Sequence, residues 1–435
     1  MLYSIPLRSK IIFVLYQLLS IACIPFFILY LIVRAVRGKV VCGNVLERLG
    51  FVPRPLRDKR IIWLHAVSAG EVLSLEYLIK KIQATSSSIH CYLTVGTATG
   101  YQLAQKNFPE ITLSYLPYDF FPCIILALWR IKPSTCVIAE AELWPNLIGI
   151  QTMIGIPCYL INARISKKTA WQQKIYDATL AHLFTFFRGI YTQDQTTTTF
   201  ITQHITSATP VLYGGTTKSF NVVKKVEDFK KNNPKENCNL ARVMLVGSCH
   251  PGELAIYLAL FEQCKKTIPN LTLVLVPRHN HWQEELAKKI AQTQFSSHII
   301  TTMQEVASFE KIVADNDIVT VFVMGTLFSL YRYATIFFLG GTWVPIGGHN
   351  LLEPAAWGIP SIVGPHYFSS TELVTILYKN NALFITHSTE ELVIQTLRLL
   401  TNPELRQATQ KKSLQWLEHE AQGTEAIINT LLEKL

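Results

Sequence analysis

The sequence predicts an α/β protein: two doubly wound, Rossmann-like domains with a cleft between them, preceded by a membrane anchor helix. Three observations predict it. Short β-branched runs alternate with helical patterns from residue 60 onward, the signature of parallel sheets. That alternation breaks at a lysine-rich stretch and then restarts, which suits two sheets. Ahead of both lies an apolar run, Ile11 to Val33, with no charged side chain.

As a helix the apolar run would reach ~35 Å, about the hydrocarbon thickness of a bilayer. Pro25 would kink such a helix without forbidding it in a membrane. The run is too long for a cleaved signal, and Arg34 stands where small residues would mark a cleavage site. From Arg34 to Arg60 there are eight basic residues, Arg48 among them, against two acids, a local excess of six. By the positive-inside rule, the chain beyond the anchor stays on the cytoplasmic side of the membrane. The cluster is a stop-transfer flank, or also a surface for anionic lipid in which Arg48 is an acceptor or anion contact.

The chain as a whole fits that setting. Hydrophobic residues make up 49% and charged ones 16%, which excludes a disordered chain. Net charge is +10, favouring an anionic partner: a membrane surface, a phosphorylated substrate or nucleic acid. Nine cysteines without CxxC spacing argue against a disulfide framework and for a reducing compartment.

In the first half the spacing predicts strands at 61–66, 90–95, 112–115, 135–139, 157–161 and 211–213, with helices from Glu71 and across 171–186. Residues 218–239 hold six lysines and few apolar residues, and read as a linker or long surface loop. The second half predicts strands at 243–246, 272–276, 298–301, 318–322, 335–339 and 360–363. Ligands of such sheets sit beyond the carboxyl ends of the strands, so the residues just after each strand are the informative ones.

After the first strand comes His65-Ala-Val-Ser-Ala-Gly-Glu71. Ser68-x-x-Glu71 reads as a capping box, and His65 as a core histidine. After the fourth comes Glu140-Ala-Glu142-Leu-Trp-Pro145-Asn146, carboxylates that suit acid–base work, a grip on sugar hydroxyls or a helix start with Pro145 at its first position. Asn162-Ala-Arg164, with Lys167 and Lys168 after it, is an anion grip or a solvated basic turn. In the second half, Ser248 opens a turn whose backbone N–H groups suit phosphate. Arg278 of Pro277-Arg278-His279 could pair with a phosphate or carboxylate. Met324-Gly325 comes after another strand. Gly347-Gly348-His349-Asn350-Leu-Leu-Glu353 places Asn350 and Glu353 on one face of a helix start, as a ribose grip or a cap.

Taken in order, Glu-Arg-Leu-Gly (47–50), HAVSAGE (65–71), E-x-ELWPN (140–146), NAR (162–164), GS-x-H-x-GE (247–253), PRH (277–279), MG (324–325) and GGHN-x-LEPA (347–355) resemble the lipid A Kdo transferases, where Kdo is 3-deoxy-D-manno-octulosonic acid; they form glycosyltransferase family 30. The resemblance runs from the anchor to about Gly364. It implies a GT-B fold and an inverting transfer of Kdo from CMP-Kdo to a lipid A precursor, lipid IVA, in lipopolysaccharide core biosynthesis. It also implies no metal, no cofactor and no nucleic-acid partner, with the catalytic domains on the cytoplasmic side of the inner membrane. Carried over, Glu71 is the general base and Glu140 a second catalytic carboxylate. Ser248, Pro277, Arg278, Met324, Gly325, Asn350 and Glu353 form the CMP site, and Arg164 meets the acceptor phosphate or the donor carboxylate. The implied domains are 1–37 (anchor), 38–216 (acceptor), 217–410 (donor) and 411–435, a last helix from about Leu417 crossing back.

The chain also departs from the family pattern. Gly214-Gly215-Thr216-Thr217-Lys218 replaces Gly-Asn-Leu-Lys, Thr326 replaces a glutamate, and His281-Trp282 replaces Glu-Arg. These departures resemble the chlamydial branch, which implies two or more Kdo units added in sequence. A GT-B enzyme using a UDP-sugar on a lipid acceptor is the alternative; a sugar-nucleotide epimerase of the same shape would have no need of an anchor.

Overall fold

The protein is described from a computed structural model. It covers residues 5–26, 29, 33, 44–55, 58–85, 87–140, 143–165, 181–205, 209–234 and 242–434. Two compact units emerge. The first comprises Met1–Asn221 with Glu420–Leu435, the second Val222–His419.

Each unit is built on a seven-stranded sheet. In the first the strands are β1 (Arg60–Ala66), β2 (Ile89–Val95), β3 (Thr112–Tyr115), β4 (Thr135–Ala139), β5 (Cys158–Ala163), β6 (Gly189–Thr192) and β7 (Val211–Tyr213), in spatial order β3-β2-β1-β4-β5-β6-β7. In the second they are β8 (Arg242–Cys249), β9 (Leu271–Pro277), β10 (Ser297–Ile300), β11 (Ile318–Val321), β12 (Ile336–Leu339), β13 (Ser361–Val363) and β14 (Leu383–Ile385), in order β10-β11-β9-β8-β12-β13-β14. All pairings are parallel. The central strands are buried on both faces, which explains their near-continuous apolar runs: Ile61 to Ala66 in β1 and Leu271 to Pro277 in β9 are all buried, with His65 and Thr272 as the polar members. The strand order reverses between β1 and β4 in one sheet, and between β8 and β12 in the other. Those two positions are the switch points at which open sheets bind ligands.

Several expectations are corrected. Strands β6 and β14 add to those expected from spacing: each is a short edge-side run, GIYT and LFI, without clear period-2 alternation. The expected linker at 218–239 is mostly helical. Thr217–Asn232 is a 16-residue helix that buries Phe220 and Val226, so its lysines decorate one face of a packed element. Residues 235–241 lie outside the described residues, as does most of the helix expected at 171–186. The last helix is Pro403–Lys434, starting well before residue 417.

Of the expected anchor, single-pass or monotopic, residues 27, 28 and 30–32 lie outside the described residues. The first helix is Leu7–Ala22, 16 residues, and no described helix is long and apolar enough to cross a membrane. One face of the first helix packs on the first unit. Phe13 lies 5.6 Å ring to ring from Phe186 and abuts Gly149, the Ser9 hydroxyl meets His182 Nδ1 at 3.1 Å, and the Tyr16 hydroxyl donates to Asp119 at 3.4 Å. The opposite face, Leu7, Ile11, Val14, Leu15 and Leu18, is exposed. Arg34, Arg37, Lys39 and Arg57 lie outside the described residues.

Candidate active site

In the first unit, Glu71 and Glu140 stand at the switch point, Glu71 just past β1 and Glu140 directly after β4. The helix Ala69–Ser74 opens with Ser68 as N-cap. The Glu71 carboxylate accepts from Val67 N (2.7 Å) and from the Ser68 hydroxyl (2.9 Å), and only 7% of the residue is exposed. Ser68 does cap the helix, its hydroxyl accepting from Glu71 N (3.4 Å), and the contacts together hold a carboxylate at the sheet's carboxyl edge. Burial raises the Glu71 pKa above its ordinary value. Its hydrogen bonds pull the other way, and the charge of Glu140 adds to the rise.

Glu140 adopts φ +61°, a conformation that side-chain-bearing residues rarely take. Its amide donates to Ile161 O (2.8 Å) and its carboxylate pairs with Lys218 Nζ (2.8 Å). Asn162, at the end of the neighbouring β5, is also left-handed (φ +58°) and accepts from Thr217 N (2.9 Å). Two such backbones on adjacent strand ends aim polar groups out of the sheet edge. Arg164 is exposed and lines a small crevice with Glu140, Leu143 and Phe184. Glu142, Lys167 and Lys168 lie outside the described residues. The helix Pro145–Met153 does begin with a proline, but Asp119 serves its first turn, accepting from Asn146 N (3.0 Å) and Leu147 N (2.8 Å). Burial raises the Asp119 pKa to about 6. Arg48 donates to Leu116 O (2.9 Å) and Gly96 O (2.6 Å), bracing the ends of β3 and β2. His65 is a core histidine against Thr94, its pKa lowered to about 4 by burial.

In the second unit, Ser248, Pro277, Arg278, Met324 and Gly325 line one cavity of about 100 Å³. Ser248 sits in a bulge of β8 at φ +56°. Its carbonyl would lie 2.2 Å from a Cβ on Gly340, so only glycine fits beside it. Arg278 is exposed at the end of β9, and Met324 is 68% exposed on the rim. Asn350 and Glu353 are not in that cavity. Asn350 Oδ1 accepts from Leu352 N (2.9 Å), while the Glu353 carboxylate reaches Lys225 Nζ (3.5 Å) instead of capping. Five aromatic rings gather close by: His250 stacks on His349 (5.8 Å), Trp282 lies 5.0 Å from His250 and 4.9 Å from His279, and His281 stacks on His279 (5.4 Å). Burial lowers the His250 pKa to about 4, with His349 and other nearby positive groups adding to the fall. Among the described residues no three His, Cys, Asp or Glu side chains come together to hold a metal ion.

A sequence profile for "3-Deoxy-D-manno-octulosonic-acid transferase (kdotransferase)" matches residues 43–221. An Arabidopsis thaliana protein described as "Probable 3-deoxy-D-manno-octulosonic acid transferase, mitochondrial" is 28% identical over 411 residues, 92% of this chain and 90% of that one. Both matches are to Kdo transferases, and together the similarity covers most of the chain. A Chlamydophila psittaci 3-deoxy-D-manno-octulosonic acid transferase is also 28% identical, over 83% of this chain and 82% of that one, so identity does not single out the chlamydial branch. In fold alone, the chain resembles UDP-GlcNAc 2-epimerase from Neisseria meningitidis, with a TM-score of 0.56 at 14% identity over 86% of this chain and 100% of that one.

Two contributors in this chain lie beyond those the sequence motifs assign. Glu253 is fully buried and accepts from Gly341 N (2.8 Å), Trp343 N (2.9 Å) and His250 N (3.1 Å). It ties the turn after β8 to the glycine loop after β12, across the switch point. Its place in GS-x-H-x-GE is the available signal. Lys218 closes the divergent Gly214–Lys218 segment and neutralises Glu140. No local pattern pairs residues 78 positions apart.

Proposed function

We propose that this chain is an inverting glycosyltransferase that moves Kdo from CMP-Kdo to a lipid A precursor. The single observation that carries the reading is the placement of Glu71: a buried carboxylate with a raised pKa, held by its own helix cap at a switch point. Glu71 takes the proton of the acceptor hydroxyl as that oxygen bonds to the anomeric carbon of Kdo. The bond from that carbon to the phosphate oxygen breaks, and the electron pair leaves with CMP. The cavity around Ser248 and Arg278 supplies backbone N–H groups and a guanidinium for the phosphate, with Glu353 and Asn350 for the ribose. The names of the family relatives support the donor sugar.

The first helix supports attachment at a membrane surface on the cytoplasmic side of an inner membrane. One face is docked on the protein, and the other presents Leu7, Ile11, Val14, Leu15 and Leu18, the pattern of a helix lying in the interface plane. A lipid acceptor suits that attachment.

The test is incubation of membranes carrying the protein with CMP-Kdo and a tetraacylated lipid A precursor, and then mass spectrometry of the lipid. Mass increments of Kdo are expected, and their number gives the units added. A lipid modified only when a UDP-sugar is supplied would overturn the reading.

A further inference from the structure

The second unit holds a larger cavity, about 580 Å³, that is separate from the donor cluster. It lies at the opposite edge of the same sheet. Thr335 and Pro360 line it, and each immediately precedes a strand, β12 and β13. Ser248, Arg278 and Met324 stand at the carboxyl edge. A four-residue strand separates the two edges by about 13 Å.

The lining has one sign of charge. Lys230, Arg332 and Arg406 contribute cations, Gln407 and Gln410 contribute amides, and no carboxylate stands among the described lining residues. Both guanidinium groups are held in place by backbone carbonyls. Arg406 donates to Leu399 O (2.6 Å) and Leu400 O (2.9 Å), and Arg332 to Asn233 O (3.4 Å). An arginine has five N–H donors, so each keeps others for a ligand. Lys230 Nζ lies 5.2 Å from the centre of the Trp357 ring, and the buried Trp357 indole N–H has no acceptor. Burial lowers the pKa of both Lys230 and Arg406, so a bound anion would relieve a real cost. The volume is that of a small-molecule site.

We propose that this cavity binds a sugar phosphate, its phosphate held by Lys230, Arg332 and Arg406 and its hydroxyls by Gln407 and Gln410. The chemistry is that of phosphate recognition by arginine, with side-chain amides serving a polyhydroxylated body. The site is independent of the donor reading, since none of the donor residues lines it.

Glucose 6-phosphate is the probe, titrated by calorimetry into the full-length, detergent-solubilised protein. Binding is expected in the unaltered protein and, undiminished, in Arg278→Ala, which touches only the donor cluster. Lys230→Gln/Arg332→Gln is expected to weaken binding at least about tenfold. Gln410→Glu, at an exposed position, is expected to weaken it as well while leaving the melting temperature unchanged, which covers the case where the double variant folds poorly. No binding below about 10 mM would overturn the proposal. So would loss of binding in Arg278→Ala with retention in the other two variants, because the probe would then be occupying the donor cluster.

Discussion

The two switch points solve different problems with the same fold. At the first, one carboxylate is buried and the other paired: Glu71 lies under its helix cap and the partly exposed Glu140 meets Lys218, beside a backbone that turns left-handed at Glu140 and Asn162. At the second, the shape is set by glycines, Gly325, Gly341, Gly347 and Gly348 all having positive φ, and the buried charge, Glu253, faces backbone amides. The first arrangement tunes proton affinity. The second ties backbone amides to Glu253 and leaves Arg278 exposed at its strand end. The comparison teaches that a buried glutamate at a strand end is not by itself a proton acceptor: Glu253 is fully hydrogen-bonded to backbone, while Glu71 is less buried and coupled to a second carboxylate.

The largest test of that contrast is Glu71→Gln. Glutamine can still accept from Val67 N and serve the cap, but it cannot take a proton near neutral pH. Transfer should fall by ~100-fold to 10,000-fold, with the melting temperature and CMP affinity retained. Near-normal turnover would return Glu71 to a structural role and make Glu140 the first candidate for the base. Glu253→Ala should do the reverse. Three buried N–H groups lose their acceptor, so stability should drop by roughly 3 kcal/mol or more, read by denaturant unfolding, and CMP affinity should fall with it. A stable Glu253→Ala protein with weakened transfer and intact CMP binding would place Glu253 in the chemistry instead.

A smaller effect separates ligand contact from helix capping at Glu353. Its carboxylate reaches Lys225 and makes no cap, so Glu353→Ala should leave stability nearly unchanged, because an exposed ion pair is worth little. CMP binding should weaken by ~1.5–3 kcal/mol, the worth of a hydrogen bond to a charged group. A lowered melting temperature with unchanged CMP affinity would reverse that assignment.

A residue is legible in the sequence when its role answers to local rules. The β1 and β4 strands, and the polar segments after them, are readable because burial on both faces forces an apolar run and the topology forces function to its carboxyl end. The cap of Ser68 on Glu71 N is readable because it is local. The Lys218–Glu140 pair and the hold of Asp119 on the helix at Pro145 are not, because both depend on tertiary placement of residues far apart in sequence. The 217–232 helix escapes a compositional reading for a related reason: its lysines dominate the composition, while the packing of Phe220 and Val226 decides its state. The expectation of a membrane anchor rests on hydropathy and on the basic residues that follow. Hydropathy does not distinguish a bilayer from a docking face, and Ser9, Phe13 and Tyr16 use one side of the run to dock.

The subtlest prediction concerns the coupling of the two carboxylates. Burial raises the Glu71 pKa, and the negative charge of Glu140 raises it further, because ionising Glu71 places a second negative charge nearby. Glu140→Gln removes that charge. It also leaves the Lys218 cation, which Glu140 had paired, uncompensated. Both changes favour ionised Glu71, so its pKa should fall. A general base is active when deprotonated, so the acid limb of kcat/KM, which reports the free enzyme, should move to lower pH in Glu140→Gln. The rate at neutral pH should drop as well, since Glu140 lines the crevice with Arg164, but the position of the limb does not depend on that height. A limb that stays put, or one that moves to higher pH, would mean that the charge of Glu140 does not raise the pKa of the group that sets it. Lys218→Gln gives the opposite sign as an internal check: with the cation gone and Glu140 retained, the limb should move to higher pH.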